Sequence, residues 1–599
     1  MIKEFTLPKH FLWILMSLST ITTTTILAQT PFDSKLQQKG ITKSDVKDWS
    51  KSDFIEMPIP QCALINISGI ERMPVSKDEV LSAWIETYDG QGNFFRKPVH
   101  LSAQGNSSLG FVKKNFKADF SSESLTFSIG DWVRQDEFHF KAYYTDFFRG
   151  VGCVAYQLFH QTQQDRGPMW KRAFLTSSNK NARCYPDGFP CLVYLNGDFY
   201  GIFAWQLKKD RKNMSQTKEM AEHIHLDGKF DNDIFWSEHI DWTQFEVRNP
   251  KGLYCMNGQL YDGDHPQELI DETSAFYDLP EDSETIKARK KKSAKVKHYV
   301  EAFSTFHHQL KSLETQGADT ETIREAMSLQ FDIPSLTDYI CFAYYVNNYD
   351  GFWKNWQWFT YDGSKWFVAP YDLDCTFGNH ASGNFIIPPE WNFEWGNYSF
   401  LLSREPINFF RKYFWEDIKV RYAELREQKI FSPDNLQLLL TDWYDRIGID
   451  SYAEEWQRWP DSKCIGKTIC NPSWMTSDDW TGYGKLPDYD SETTYHAGDR
   501  CRLAERVWTA TAYVKGVQPY IQLGYTDNLE RVFAWVKRRT EIIDQFMGYN
   551  PEENYIGSIR QAADTPTTIN TSIYDLSGQR ILHLQKGINI VSGRKILVK

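Results

Sequence analysis

The spacing of apolar positions changes along the chain and divides it into a β-rich part, a helical part and a short β-rich tail. Alternation from Ile59 onward predicts strands at Cys62 to Ile67, Val80 to Tyr88 and Lys97 to Ser102, with a turn at Asp89-Gly90-Gln91-Gly92. Phe138 to Tyr143 reads as a further strand. Asp146 to His160 reads as an amphipathic helix carrying Phe147, Val151, Val154, Leu158 and Phe159 on one side. Apolar runs on both sides of Asn196-Gly197 predict a hairpin from Cys191 to Trp205. Further on, Leu336, Tyr339, Ile340, Ala343 and Val346 keep helical spacing behind Pro334, with Ser335 as the expected N-cap and Asp338 three residues later. Trp356 to Tyr361 and Trp366 to Ala369 are aromatic and β-branched runs around Asp362-Gly363-Ser364-Lys365, a second hairpin. Helices are expected at 404–427, 434–446 and 526–548, and four short apolar runs in 565–599 read as a small β appendage.

A chain of 599 residues exceeds the size at which one core keeps growing, so an α+β molecule with more than one lobe is expected. The boundaries read as a signal segment 1–28, a tether 29–55, a β-rich N-lobe 56–208, an insertion and helical connection 209–330, a C-lobe 331–550 and the tail 565–599. Lys3, Lys9 and His10 precede the apolar stretch from Phe11 to Leu18 and the residues up to Ala28, the pattern of a secretory signal cut near Gln29. No later stretch is apolar enough to span a membrane.

A net charge of −11 speaks against nucleic acid as a partner, because such binding draws its affinity from neutralising phosphates. The run from Lys287 to Lys292 is a local exception and reads as a solvated helix face. Ten cysteines in an exported chain permit disulfides, with Cys184 and Cys191, and Cys464 and Cys470, as the nearest pairs. Cys153, Cys341 and Cys375 stand in apolar surroundings and read as buried thiols.

The chemistry concentrates between Asn347 and Gly378. A helix, the loop Asp350-x-x-x-x-Asn355, a hairpin and then Asp372 follow one another in the order used by protein kinases. In that order Asp350 positions and deprotonates the acceptor hydroxyl, while Asn355 and Asp372 hold metal, with Asp374 as a spare ligand. Magnesium suits hard oxygen donors and retains several waters, so this small set is sufficient. Carboxylates beside glycine also terminate ordinary turns, and that reading stays open. Upstream, the small residues Gly105, Ser107 and Ser108 form a loop able to close over phosphates. If Phe116, Ala118 and Phe120 face inward, strand alternation turns Lys114 inward to meet them and leaves Lys113 and Lys117 in solvent. The helix expected from Asp146 to His160 carries no glutamate, which a typical kinase uses there to hold its lysine.

The block Asn347-x-Tyr349-Asp350-Gly351, Lys354-Asn355, Pro370-Tyr371-Asp372 and Phe377-Gly378 resembles the core motif of the CotH family, regarded as atypical, secreted, kinase-like proteins. Gly105-x-Ser107-Ser108 followed by Lys113-Lys114, and the Asn196-Gly197 hairpin, extend the resemblance. Tyr371 stands where the family has Trp, Phe199 and Phe203 where it has Tyr, and Leu207 where it often has Glu. The resemblance implies a two-lobed kinase-like fold that uses ATP and Mg2+ to phosphorylate Ser or Thr of a protein, with Asp350, Asn355, Asp372 and Lys114 in the roles above. The tail, with Tyr574-Asp575-Leu576-Ser577-Gly578-Gln579-Arg580 and Lys586-Gly587-Ile588-Asn589-Ile590, resembles type IX secretion sorting domains, which implies a secreted or cell-surface location. Two other readings remain. One is a non-catalytic surface protein that binds a partner or a glycan through Trp391, Phe393, Trp395, Tyr398 and Phe400. The other is a glycoside hydrolase with Asp350 and Asp372 as its carboxylate pair.

Overall fold

Strands β1 (Ala63–Ser68), β2 (Leu81–Tyr88), β3 (Asn93–Gln104), β4 (Asn115–Asp119), β5 (Glu137–Lys141), β6 (Gly188–Leu195) and β7 (Asp198–Gln206) form a closed barrel in the order β3-β2-β1-β6-β7-β5-β4. The structure is a computed structural model that describes residues 29–173, 181–228, 245–250, 283–352, 355–381, 407–462, 483–503, 506–510, 513–519 and 525–552, with isolated residues and short strands besides. An odd number of strands cannot alternate in direction around a ring, and β1 and β6 accordingly form a parallel pair. Closure rests on β4, which pairs with the end of β3 on one side and with β5 on the other. The β-rich region is thus a barrel without a free edge, a feature that alternation within each strand does not reveal.

Inward positions of the seven strands supply one core. Trp205 on β7 is completely buried, with its ring 5.0–6.5 Å from those of Phe95, Phe127, Phe138, Phe140 and Phe189. The hairpin between β6 and β7 turns at Asn196 (φ 52°) and Gly197 (φ 89°), as the Asn-Gly pair predicts.

Residues 29–55 are not a free tether. Thr30 caps a helix from Pro31 to Gln38, and Phe32 and Leu36, one turn apart, are buried against the barrel. The Phe32 amide donates to the Gly197 carbonyl at 3.0 Å, which ties the segment to the β6–β7 turn.

Outside the barrel lie α1 (Val151–Thr162), α2 (Ile333–Val346), α3 (Ile407–Glu427), α4 (Pro433–Ile447), α5 (Ile449–Arg458) and α6 (Tyr525–Met547). Beside them is a sheet of β8 (Ile224–Gly228), β9 (Phe245–Asn249), β10 (Trp356–Thr360) and β11 (Trp366–Pro370) in the order β9-β8-β10-β11. The N-cap of α2 is Asp332, whose carboxylate accepts from the Ser335 amide at 3.0 Å, rather than Ser335 itself. Asp338 serves no cap. It is fully buried and accepts from Arg421 Nε at 2.6 Å and Arg166 Nη1 at 3.0 Å, which fastens α2 to α3.

Cys153, Cys341 and Cys375 are buried free thiols, as expected. Cys184 and Cys191 are buried free thiols too, not a bonded pair: Cys184 Sγ lies 3.6 Å from Tyr361 Oη, and Cys191 Sγ points at the Phe203 carbonyl across the β6–β7 hairpin. Cys464, the signal segment and the aromatic loop at 391–400 lie outside the described residues. In the tail, Ile573–Tyr574, Arg580–Ile581, Gly587–Val591 and Arg594–Val598 form a four-stranded antiparallel sheet. Among the described residues no helix is long and apolar enough to cross a membrane.

Removing the ring at the centre of the barrel tests this packing. Trp205→Ala should destabilise the barrel by about 3–5 kcal/mol, read as a lower denaturant midpoint with little change in slope.

Candidate functional site

α2 ends at Asn347, whose left-handed conformation (φ 54°) turns the chain into the short helical turn Tyr349–Phe352 that carries Asp350. Asn355 stands directly before β10, and its side-chain amide donates to Asp350 Oδ2 at 2.6 Å. Across the hairpin the Asn355 carbonyl accepts from the Tyr371 amide at 2.9 Å, so the open end of β10–β11 sets Asp372 beside the Asp350–Asn355 pair. The Asp372 amide donates to Tyr156 Oη on α1 at 2.9 Å. Asn347, Asn355, Asp372 and Phe377 all have positive φ in this one segment. Such conformations cost about 1–3 kcal/mol each and persist where the surroundings impose them, commonly at functional sites.

The barrel contributes a cation that the sequence reading overlooks. On β5, Phe138 and Phe140 fill the interior, so His139 and Lys141 project outward. Lys141 Nζ lies 3.5 Å from Asp372 Oδ1. Burial acts to lower the affinity of this ammonium for its proton, but Asp372, Tyr371 and Asp374 outweigh burial and raise it. Asp374 is half-buried, and its carboxyl is pushed well above the usual range by burial and then by the charge of Asp372, with Lys141 acting in opposition. His139 is held well below its ordinary value by burial first, then by Lys141, Lys208, Lys209 and Arg248. The cations that act on His139 are each paired with a carboxylate: Lys141 with Asp372, Lys208 with Glu137, and Lys209 and Arg248 with Asp227. Lys209 lies over the Tyr371 ring at 3.4 Å and pairs with Asp227, which also accepts from Arg248 Nη2 at 3.1 Å and Gln357 Nε2 at 2.7 Å.

The Gly105 loop folds over the same end of the barrel. Gly105 has φ 116°, and a Cβ there would lie 1.9 Å from Ser108 Oγ, so glycine is required. Ser108 Oγ accepts from Asn115 Nδ2 at 3.1 Å, and Asn115 Oδ1 accepts from the Ala142 amide at 2.7 Å. That chain of bonds runs from the loop to the residue next to Lys141. Phe111 stacks on Tyr144 with centroids 5.2 Å apart, while Ser107 is exposed at the tip.

Lys114 is not the inward lysine. Strand β4 begins only at Asn115, and Lys113 and Lys114 precede it in a bend, so strand alternation does not extend to them. Lys114 Nζ donates to the carbonyls of Leu109 at 2.7 Å and Phe111 at 2.8 Å, bracing the Gly105 loop from behind. Lys113, expected in solvent, is buried and paired with Glu455 at 2.7 Å. A lysine sharing one strand face with a histidine, opposite two phenylalanines, is the signal in the sequence that marks Lys141.

Among the described residues no group of three or more His, Cys, Asp or Glu side chains is disposed to hold a metal ion. The donors at hand are the Asp372 and Asp374 carboxylates and the Asn355 amide oxygen, a hard-oxygen set of the kind that magnesium takes while keeping several waters. The raised Asp374 carboxyl fits this assignment, since burial and then the charge of Asp372 disfavour its anion, and a divalent cation would offset both.

Comparison with known proteins follows this geometry. No curated protein matches the chain. The family described as CotH kinase protein matches residues 101–543, from the end of β3 through the Gly105 loop, Lys141, the Asp350 loop and most of α6. With nearly three quarters of its length matched, the chain belongs to the CotH kinase protein family.

Proposed function

We propose that the chain is a two-lobed, atypical protein kinase that transfers phosphate from ATP to Ser or Thr of a protein substrate. The observation that carries the reading is the meeting of Asp350, Asn355 and Asp372 at the open end of one hairpin with Lys141 from the barrel. Asp350, oriented by the Asn355 amide, accepts the proton of the acceptor hydroxyl. Asn355 and Asp372 would hold Mg2+, with Asp374 as a further ligand, and the cation would supply positive charge to offset the negative charge developing on the transferred phosphate. Lys141 takes the role expected of Lys114 and holds a phosphate from the barrel side. Gly105, Ser107 and Ser108 cover the phosphates with small residues and backbone amides.

A second reading is a non-catalytic surface protein on the same scaffold, supported by the lack of any acidic side chain on α1. The two are separated by Mg2+-dependent γ-phosphate transfer. The kinase reading expects transfer by the wild type, a fall of about 10²–10⁴-fold for Asp350→Ala and loss of Mg2+ dependence for Asp372→Ala. Lys141→Met should raise KM for ATP about tenfold, whereas Lys114→Met should change it little. Absence of both nucleotide binding and transfer in the wild type, with retention on a glycan or protein partner, would establish the second reading.

We further propose export through the amino-terminal signal and display or release through the β tail. Amino-terminal sequencing of protein recovered outside the cell should begin near Gln29. Deletion of residues 565–599 should retain the protein inside, and unchanged export of that deletion would remove the sorting role.

A further inference from the structure

α5 delivers a single carboxylate into the buried junction between barrel and helices. Glu455 is wholly inaccessible to solvent, and its Oε1 accepts from Lys113 Nζ at 2.7 Å and from Arg149 Nε at 2.8 Å. Its Oε2 accepts from the Ile202 amide on β7 at 2.8 Å. Near the end of the same helix, Trp459 Nε1 donates to the Tyr200 carbonyl at 2.7 Å, so α5 is docked on β7 at two points.

Both cations that hold Glu455 also grip the chain leaving Lys141. Lys113 Nζ reaches the Ala142 carbonyl at 3.5 Å. Arg149 Nη1 donates to the carbonyls of Tyr143 at 3.0 Å and Tyr144 at 3.1 Å. Tyr143 (φ 43°) and Arg149 (φ 58°) are left-handed, a path for which a bulky side chain needs external support. Burial acts to raise the Glu455 carboxyl, but Lys113 and Arg149 overcome it and hold the group below its ordinary value as the anion. Removal of that charge would take from Lys113 and Arg149 the buried carboxylate that both of them hold. The Asp350 loop makes none of these bonds. The consequence falls instead on residues 142–149, and Lys141 is the residue at their start.

We propose that Glu455 is a positioning residue for phosphoryl transfer. It acts through Lys113 and Arg149 to fix residues 142–149 and so holds Lys141 against Asp372. This rests on the kinase reading above, and it assigns to a helix far along the chain the anchoring that α1, lacking a carboxylate, does not supply. A brace serving the fold alone would alter melting and leave the nucleotide site of the folded protein as it was.

The test compares the wild type, Glu455→Gln, and the double variant Lys113→Met with Glu455→Gln. The double variant restores the wild-type charge balance and stays informative if the single variant does not fold. Each is assayed well below its own melting temperature. The expected result is a rise of about tenfold in KM and Kd for Mg2+-ATP with a smaller change in kcat, in the double variant as well as the single, even where the double variant regains stability. A crystal structure of either variant should show Lys141 Nζ withdrawn from Asp372. Wild-type KM and Kd in a folded Glu455 variant would overturn the proposal whatever its melting temperature. A wild type that neither binds nor transfers phosphate from ATP defeats the kinase reading instead. The crystal structure then decides the positioning role, and an unmoved Lys141 overturns it.

Discussion

The ion pair of Lys141 and Asp372 joins the barrel to the β10–β11 hairpin beside Asp350 and Asn355. One partner ends a barrel strand and the other follows the β10–β11 hairpin, and their charged atoms lie 3.5 Å apart. Taking a lysine almost wholly out of water costs several kcal/mol, a cost that pairing offsets only when geometry and further hydrogen bonds are good. Here the ammonium meets a partly exposed carboxylate at a long distance, which makes it a poor device for stability. Asp372 keeps 35% of its side chain exposed, so the pair is open to a ligand charge on that side.

Both supports of that pair are rigid for reasons found in the chain. β5 is held on both sides, by β4 and by β7, so Lys141 stands on a strand with no free edge. The hairpin is flanked by β8 and backed by α2, which is itself fastened through the buried Asp338 to Arg166 and Arg421. Asp350 and Asp372 thus come from opposite ends of one helix-hairpin unit whose internal contacts are close-packed, while Lys141 is set by the barrel. Placing the groups on strands and helix ends keeps their separation from drifting.

The helix, the loop and the hairpin around Asp350 were legible in the sequence because each is a local pattern: an apolar stripe, turn residues and two aromatic runs. The Asp350 and Asn355 contact follows from their short spacing, and Asp372 follows from the hairpin that returns beside Asn355. Barrel closure was hidden because it depends on β4 finding two partners, a non-local fact. Alternation does not tell Lys113 from Lys114, because both precede the strand that begins at Asn115 and the period of two no longer applies there. Phe32 and Leu36 are too few apolar residues to form a pattern in the sequence, yet one helical turn suffices to bury both. Glu455 left no trace at all, since nothing in its own helix distinguishes it from Glu454, which pairs with Lys35 and keeps 38% of its side chain exposed.

The absence of a glutamate on α1 and the presence of Glu455 are two sides of one arrangement. On α1, the space toward the barrel is taken by Cys153, Tyr156 and their neighbours, with Tyr143 Oη lying 3.9 Å from Cys153 Sγ and Tyr156 Oη accepting from the Asp372 amide. A carboxylate introduced there would add negative charge near Asp372 and Asp374, where burial and then the charge of Asp372 already raise Asp374. Bringing the anion from α5 instead places it on the far side of residues 142–149, where Lys113 and Arg149 neutralise it and the acidic pair does not meet it. The chain thereby separates the charges that fix residues 142–149 from the acidic pair beside Lys141, and each set has its own counter-charge in Glu455 or Lys141.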